Sequence, residues 1–396
     1  MTNNLSCEPT VWNGRKAYQL SNGIVRLVTL TGGGHIAEFR FEESSGLPSL
    51  NPLWKPPWKS IEPYQYRSTR HSSLYGSLTE GKLLSGIAGH SICLDRFGPP
   101  SEEEAAEGLS FHGEAPGAEW KKRFVRVSSG HVSLGLSVRL PAANLRFRRE
   151  IRLHEGESVA YYTETTSNLA QADRAFNWQQ HVTLGPPFLD PQACGIVLPA
   201  TRGITYPDDY DEGKSLLEPG KEFRWPLAPL RGGGSVDLRN VLNSPGLGFV
   251  VGLLLDARKE TGFIASVNKK RRLIFGHCFP RKQCPWVAIW EENRAVAAPP
   301  WKRRVQARGL EFGSTALPLP RDQAMAMGNL WGTPNFAYVP ARGHLELRYV
   351  SFLAQLPSDF PDVADITVDD NHILIFGSKR RSPLRLCASG VAAFIA

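Results

Sequence analysis

The sequence predicts an all-β protein, a large antiparallel β-sandwich with few short helices. Apolar and polar residues alternate over 132–140, which is the pattern of a strand with one buried face. Two similar runs, 145–153 and 159–163, follow after short turns, with Arg149 interrupting the first of them. Three such runs joined by tight turns predict an antiparallel meander. The 37 glycines and 30 prolines are scattered without a repeat, which favours many short strands over long helices.

Short runs with strand character continue along the chain, and helical patterns are rare. Ser101 followed by three glutamates predicts a capping box that opens a short helix, and 321–331 predicts another. Strands at close spacing with few helices are typical of a sandwich or barrel. The other predicted strands are 24–30, 37–41, 248–255, 262–267, 272–275, 286–290, 305–311, 345–352 and 372–376.

The chain has 396 residues, which is long for one domain, although β-sandwiches often reach this size as a single unit. No change of composition marks a boundary. We therefore predict one domain over 1–396, in which about 360–396 could pack as an appended C-terminal hairpin or tail.

Composition excludes several classes of protein. Hydrophobic residues make up 41% and charged residues 21%, too few charges for a disordered or coiled-coil chain. The net charge of +8 is dispersed, and its densest runs, 269–272, 302–304 and 379–381, are short. We interpret them as solvated loops or strand ends and predict no nucleic-acid partner.

Neither a membrane nor a cofactor is predicted. The first seven residues contain no apolar signal core, and no apolar run approaches the ~20 residues of a membrane span. We therefore expect a cytoplasmic protein with free thiols. The ten histidines and six cysteines show no metal-ligand spacing, so neither a metal nor a cofactor is expected.

Three segments place an ionisable residue beside glycine and bulky apolar neighbours: 111–120 around His112, 176–189 around His181 and 308–313 around Glu311. Partial burial of such groups tunes their pKa values. Taken singly, each also fits an ordinary structural histidine or a surface glutamate.

Together the three segments resemble the aldose 1-epimerase (galactose mutarotase-like) family, and the resemblance covers roughly residues 20 to 355. The family has a His-Gly segment followed by Gly and Trp, then an Asn-rich segment ending in a catalytic His before a Gly, then a Gly-x-x-Leu-Glu strand. The matching residues in this chain are His112, Gly113, Gly117 and Trp120, then Asn177, His181 and Gly185, then Gly309, Leu310 and Glu311.

The resemblance implies a galactose mutarotase-like supersandwich and an isomerase that interconverts sugar anomers without a cofactor. It assigns Glu311 as the general base, His181 as the general acid and His112 as a substrate-binding residue. Mutual attraction is expected to lower the pKa of Glu311 and to raise that of His181. The implied partner is a small-molecule sugar, and the protein is expected to be a monomer or homodimer.

The sequence departs from the family pattern where the family binds sugar hydroxyls. The stretch 85–90, which matches the family's Gly-Arg-x-x-x-Arg segment, has no arginine, and His90 lies there as a substrate-binding candidate. The family's Asp-His pair is missing, and Asp237 is a positional candidate for its aspartate. Trp54 and Trp58, in a Pro-rich loop, are candidates for stacking on a sugar ring, although they could equally tack the loop down.

Three other functions stay open. The positive charge fits a hexose-phosphate 1-epimerase on the same fold, with Arg67, Arg70, Arg96 or Lys82 as phosphate contacts. The altered hydroxyl-binding residues fit a non-catalytic carbohydrate-binding protein. A lyase or hydrolase on a related sandwich is a further alternative.

Overall fold

The computed structural model describes residues 4–360, 362–379 and 382–396, and the chain there is built mainly from antiparallel strands. The strands are β1 (Ser6–Trp12), β2 (Arg15–Ser21), β3 (Val25–Leu30), β4 (Ile36–Phe41), β5 (His90–Asp95), β6 (Lys121–Ser128), β7 (His131–Leu140), β8 (Leu145–His154), β9 (Val159–Asn168), β10 (Arg174–Leu184), β11 (Cys194–Val197), β12 (Ala200–Thr205), β13 (Glu222–Arg224), β14 (Leu227–Pro229), β15 (Ser235–Asp237), β16 (Leu247–Leu255), β17 (Thr261–Asn268), β18 (Leu273–Pro280), β19 (Trp286–Asn293), β20 (Gln306–Gly313), β21 (Asn329–Leu330), β22 (Thr333–Pro334), β23 (Ala337–Val339), β24 (His344–Gln355), β25 (Asp365–Val368), β26 (His372–Phe376) and β27 (Leu384–Cys387).

Helices are few and short, as the sequence predicts. They are α1 (Ser68–Tyr75), α2 (Leu78–Leu84), α3 (Glu102–Ala106), α4 (Arg321–Met327) and α5 (Val391–Ile395), with single 3₁₀ turns at Glu43–Ser45, Pro63–Gln65 and Ala115–Gly117. The predicted capping box is confirmed, because the Ser101 side chain accepts a hydrogen bond from the Glu104 N–H and the Glu104 carboxylate accepts one from the Ser101 N–H. No helix in the described ranges is long and apolar enough to cross a bilayer.

Two large sheets pack face to face. One has twelve strands, ordered β1-β2-β3-β4-β5-β10-β20-β19-β16-β12-β13, with β23 paired to one end of β10. The other has eight, ordered β11-β17-β18-β24-β9-β8-β7-β6. The predicted meander is confirmed as β7, β8 and β9, and the all-β sandwich as the architecture. The centre of the first sheet pairs β10 with β20, two strands more than a hundred residues apart in sequence.

The main core lies between these sheets. It combines alternate residues of the first, such as Val182 and Phe312, with alternate residues of the second, such as Leu134 and Phe147. Side chains on the core face of β10 are therefore Gln180 and Val182, while the residue between them faces away from the core.

A buried ion pair explains why Arg149 interrupts the alternation of its strand. Arg149 points into the core and donates from Nε to Glu164, its direct neighbour across β8 and β9, at 2.7 Å. Both side chains are fully buried. Glu164 also accepts hydrogen bonds from Trp178 Nε1, Gln180 Nε2 and the Tyr349 hydroxyl. This network ties the two sheets together directly behind β10.

One half of the outer face of the eight-stranded sheet is covered by a further layer. Strands β25, β26 and β27 form a separate three-stranded sheet, which with α5 packs on the outer side of β17, β18, β24 and the start of β9. Ile366, Ile373 and Val391 meet Phe263 and Phe352 in this second apolar cluster. That 1–396 form one domain, with about 360–396 as a possible appended hairpin or tail, stays a prediction.

Replacing Glu164 by Gln should destabilise the fold strongly, because Arg149 would keep its charge in the core without a counter-ion. We expect the free energy of unfolding in urea to fall by about 3–5 kcal/mol. The matched control is Glu150→Gln, which removes the partner of Arg152 in a partly exposed pair on the same strand and should cost less than about 1 kcal/mol. Equal losses in the two variants would contradict this account of the core.

Candidate active site

The β10–β20 pairing places the two sequence-predicted catalytic residues side by side. His181 on β10 is the direct antiparallel partner of Glu311 on β20, and both side chains lie on the outer face of the twelve-stranded sheet. His181 Nε2 lies 3.2 Å from Glu311 Oε1. The geometry is not that of a well-directed hydrogen bond, and Oε1 has no hydrogen-bond partner in the described part of the chain, so this oxygen can accept a hydrogen bond from a ligand.

The glycine of the Gly-Leu-Glu segment provides space for the carboxylate. Gly309 lies two residues before Glu311, on the same face of β20. A Cβ atom at Gly309 would come within 2.3 Å of Glu311 Oε1. A larger residue there would displace the carboxylate from His181, which explains on steric grounds why the motif has glycine at this position.

Burial dominates the electrostatics of the pair. His181 and Glu311 are 5% and 2% exposed. Loss of hydration raises the pKa of Glu311 well above its usual range and lowers the pKa of His181 to about 4. The expectation that mutual attraction lowers the pKa of Glu311 and raises that of His181 is therefore wrong, because burial shifts each pKa the other way. Desolvation therefore favours the uncharged form of both groups, the neutral imidazole and the protonated carboxyl group.

The far side of the imidazole is held by a hydroxyl group. His181 Nδ1 lies 3.1 Å from Thr183 Oγ1 on the same face of β10. This contact fixes the plane of the ring and directs Nε2 towards Glu311.

His112 joins the pair from a loop. Its ring centroid lies 5.0 Å from that of His181, and it stacks on Phe97. His112 Nδ1 accepts the N–H of Gly98 at 3.2 Å, so the proton of the neutral ring lies on Nε2. Burial holds its pKa well below the usual range, which makes His112 a neutral hydrogen-bond donor.

The loop that carries His112 depends on the glycine that follows it. Gly113 has φ +83°, and a Cβ atom there would lie 2.3 Å from the carbonyl oxygen of Leu94. The neighbour Glu114, where the family pattern has a second glycine, accepts the N–H of Ala143 at 2.8 Å. Glu114 therefore holds the turn between β7 and β8, and it does not line the cleft described next.

The three residues line one cleft of about 480 Å³, a size typical of small-molecule sites. Its aromatic wall contains Trp290, Trp301, Tyr206 and Tyr210. Its acidic residues are Glu80, Asp209, Asp211 and Glu311, and no lysine or arginine lies among the described residues that line it.

The tryptophans predicted from the Pro-rich loop lie behind this wall. Trp54 is buried and stacks on Trp301 with ring planes 11° apart. Trp58 packs edge-on against Trp301 and donates its Nε1–H to the Leu84 carbonyl. Neither lines the cleft. They support Trp301, which does line the cleft.

The structure does not bring His90 or Asp237 to the cleft. His90 lies on the core face of β5, where its Nε2 is 2.9 Å from Gln180 Oε1 in the buried network behind β10. Asp237, on β15, forms a bidentate pair with Arg239. Both positions follow from strand alternation and local pairing, which the sequence motifs alone do not reveal.

Sequence reasoning missed the segment that closes the acidic side of the cleft. Tyr210 donates its hydroxyl proton to Glu292 and accepts the Nε1–H of Trp290, both at 2.8 Å. The flanking Asp209 and Asp211 line the cleft. The run of acidic residues 208–212 between the second histidine and the glutamate was a usable signal, because the family pattern expects an aspartate in that interval.

Sequence comparison finds no family model and no curated protein that matches this chain. Structure comparison finds many similar folds. A proposed aldose 1-epimerase from Klebsiella pneumoniae aligns with TM-score 0.62 and 14% identity, over 87% of this chain and 80% of that one. A galactose mutarotase-like protein from Clostridium acetobutylicum aligns with TM-score 0.55 and 11% identity, over 89% of this chain and 99% of that one.

A third similar structure is a proposed aldose 1-epimerase from Escherichia coli K12, with TM-score 0.53 and 15% identity over 86% of this chain and 99% of that one. These likenesses cover 80% or more of each of the three structures and concern the fold. The chain therefore has the fold of the aldose 1-epimerases and galactose mutarotase-like proteins.

Proposed function

We propose that the protein is a divergent aldose 1-epimerase that interconverts the anomers of an electrically neutral sugar. The observation that carries this proposal is the 3.2 Å contact between His181 Nε2 and Glu311 Oε1 in the cleft. Anomer exchange needs one group to take the proton of the C1 hydroxyl and another to give a proton to the ring oxygen. A buried imidazole and carboxyl that share one proton meet that requirement without a cofactor.

In the proposed reaction Glu311 is the base and His181 the acid. The shared proton moves from the carboxyl group to Nε2, which gives a carboxylate beside an imidazolium. Glu311 removes the C1 hydroxyl proton while His181 protonates the ring oxygen, and the C1–O5 bond breaks to leave an open-chain aldehyde. Rotation about C1–C2 and the reverse proton transfers close the other anomer. His112 donates its Nε2–H to a sugar oxygen.

The charge of the cleft favours a neutral substrate over the hexose-phosphate alternative. Four carboxyl groups and no lysine or arginine line the described cleft. None of the four basic residues considered as phosphate contacts lies there, and Arg96 is buried beside Asp95 and Glu104. A phosphate group would meet negative potential without a cation to bind it.

Replacing Glu311 by Gln should remove the base and retain the fold. We expect the enzyme-accelerated rate of anomer exchange, measured by polarimetry on freshly dissolved α-aldose, to fall by roughly 10²–10⁴-fold. Glu150→Gln, on the outer face of the second sheet, is the matched control and should leave the rate unchanged. A wild-type rate in the Glu311→Gln protein would refute the assignment. Sugar binding without any acceleration in the wild type would instead support the non-catalytic alternative.

The imidazole of His181 should titrate near pH 4 in the ligand-free protein, where burial lowers its pKa, against about 6.5 for an exposed histidine. Long-range ¹H–¹⁵N NMR measures this directly. Because loss of hydration is the cause, Glu311→Gln should leave the midpoint nearly unchanged. A midpoint above 6.5 that drops in Glu311→Gln would show that attraction to a carboxylate dominates.

A neutral aldose should be a better substrate than its 6-phosphate. We expect kcat/KM to favour the neutral sugar by at least about tenfold at low ionic strength, and the preference to shrink as salt screens the carboxylates. Neutralising Glu80 and Asp211 together as Gln and Asn should also reduce it, whereas Glu150→Gln should not. A preference for the phosphorylated sugar would assign the protein to the hexose-phosphate alternative.

A further inference from the structure

The uncovered half of the eight-stranded sheet contains a second concave site. Among the residues that the structure describes, none forms a layer on the outer face of strands β6, β7 and β8, unlike the part of the sheet beneath β25, β26 and β27. A groove of about 510 Å³ runs across these three strands. Its lining contains five basic side chains and one acidic one, namely Lys121, Arg123, Arg139, Arg146, Arg148 and Glu119.

The register of the strands concentrates the positive charge. Arg139 on β7 and Arg146 on β8 are direct cross-strand partners, and Arg148 follows Arg146 on the same face. Lys121 on β6 pairs with Ser137, which in turn pairs with Arg148. Like charges directly opposite each other destabilise an antiparallel pair. Repulsion among these side chains therefore destabilises the folded protein, and a bound anion would reduce that repulsion.

The arginines of this groove form no ion pair with a carboxylate in the described part of the chain. Glu119 pairs with Lys121, whereas Arg123, Arg139, Arg146 and Arg148 have no carboxylate partner in the described ranges. Other arginines on the same face do have one: Arg152 pairs with Glu150 at 2.8 Å and Arg348 with Glu346 at 2.7 Å. The absence of counter-charges is thus a local property of the groove.

We propose that this groove binds a compact polyvalent oxyanion, of the chemical class of an organic di- or triphosphate. Guanidinium groups bind phosphate oxygens in a bidentate manner, and several of them together select multiple charges. The groove volume suits a small molecule. The next positions along the rows, Thr165 and Ser167 on β9, are neutral, so the basic surface is a confined cluster and not a continuous track for a polymer.

This site is separate from the catalytic cleft. The side chains of Arg146 and Arg148 alternate with core residues of the eight-stranded sheet, and His181 and Glu311 lie on the outer face of the twelve-stranded sheet. The two sites therefore lie on opposite faces of the sandwich. The groove is basic, whereas the cleft is acidic.

Calorimetric titration of the full chain with inorganic triphosphate at low salt tests the proposal. We expect saturable one-to-one binding, weakened at least about tenfold in Arg146→Gln and in Arg148→Gln, because each substitution removes a charge-assisted contact. The matched control is Arg152→Gln, which removes an equal charge from the same face of the same strand but from a residue paired with Glu150. It should change the affinity less than about twofold.

Three results would overturn the proposal. Absence of saturable triphosphate binding would do so, as would equal weakening by Arg152→Gln, since that would indicate diffuse attraction to a basic surface. Affinity for single-stranded oligonucleotides that rises steadily with their length would indicate a polymer track in place of a compact site. Activity of the cleft is not part of the readout, so the outcome is independent of the proposed epimerase function.

Discussion

The arrangement of the candidate site depends on one cross-strand pair, His181 and Glu311, at the centre of the twelve-stranded sheet. Antiparallel register places both side chains on the same outer face, and the missing side chain of Gly309 allows the carboxylate to approach the imidazole. Behind β10, the buried network around Arg149 and Glu164 joins the two sheets. His181 and Glu311 thus lie on two paired strands, whereas His112 comes from a loop and is tied to Gly98 by a hydrogen bond.

Burial of this pair determines its chemistry. In water an imidazole and a carboxylate would exist near neutral pH as separate, largely hydrated groups, whereas here desolvation favours the form in which both groups are neutral. In the proposed reaction, a substrate whose hydroxyl donates to Glu311 and whose ring oxygen accepts from His181 would stabilise the charged form of the pair. The site is then most polar when the sugar is bound, which is when acid–base catalysis requires it.

The sequence was sufficient to predict the sandwich and to single out His181 and Glu311, which lie side by side in the structure, because period-two alternation and short motifs are local properties. The meander β7–β9 and the capping box at Ser101 follow from patterns of this kind. Sheet order is not local, since β10 and β20 meet only through the folded topology. A short motif also does not reveal the face on which a side chain lies, and His90 and Asp237, predicted as substrate-binding residues, lie outside the cleft. Trp290 and Trp301, which line the cleft, lie in segments without a recognisable motif. The basic groove is invisible in the sequence because its arginines alternate with apolar residues on three strands.

The pH dependence of anomer exchange by the wild-type protein tests the central claim most directly. If one proton shared by His181 and Glu311 drives the reaction, the rate should form a bell with a wide plateau. Its acid limb should fall near pH 4, where the pair takes a second proton, and its alkaline limb should lie well above the usual range of a carboxyl group, where the pair loses its proton. An acid limb near pH 6.5, or no acceleration at any pH, would contradict the account.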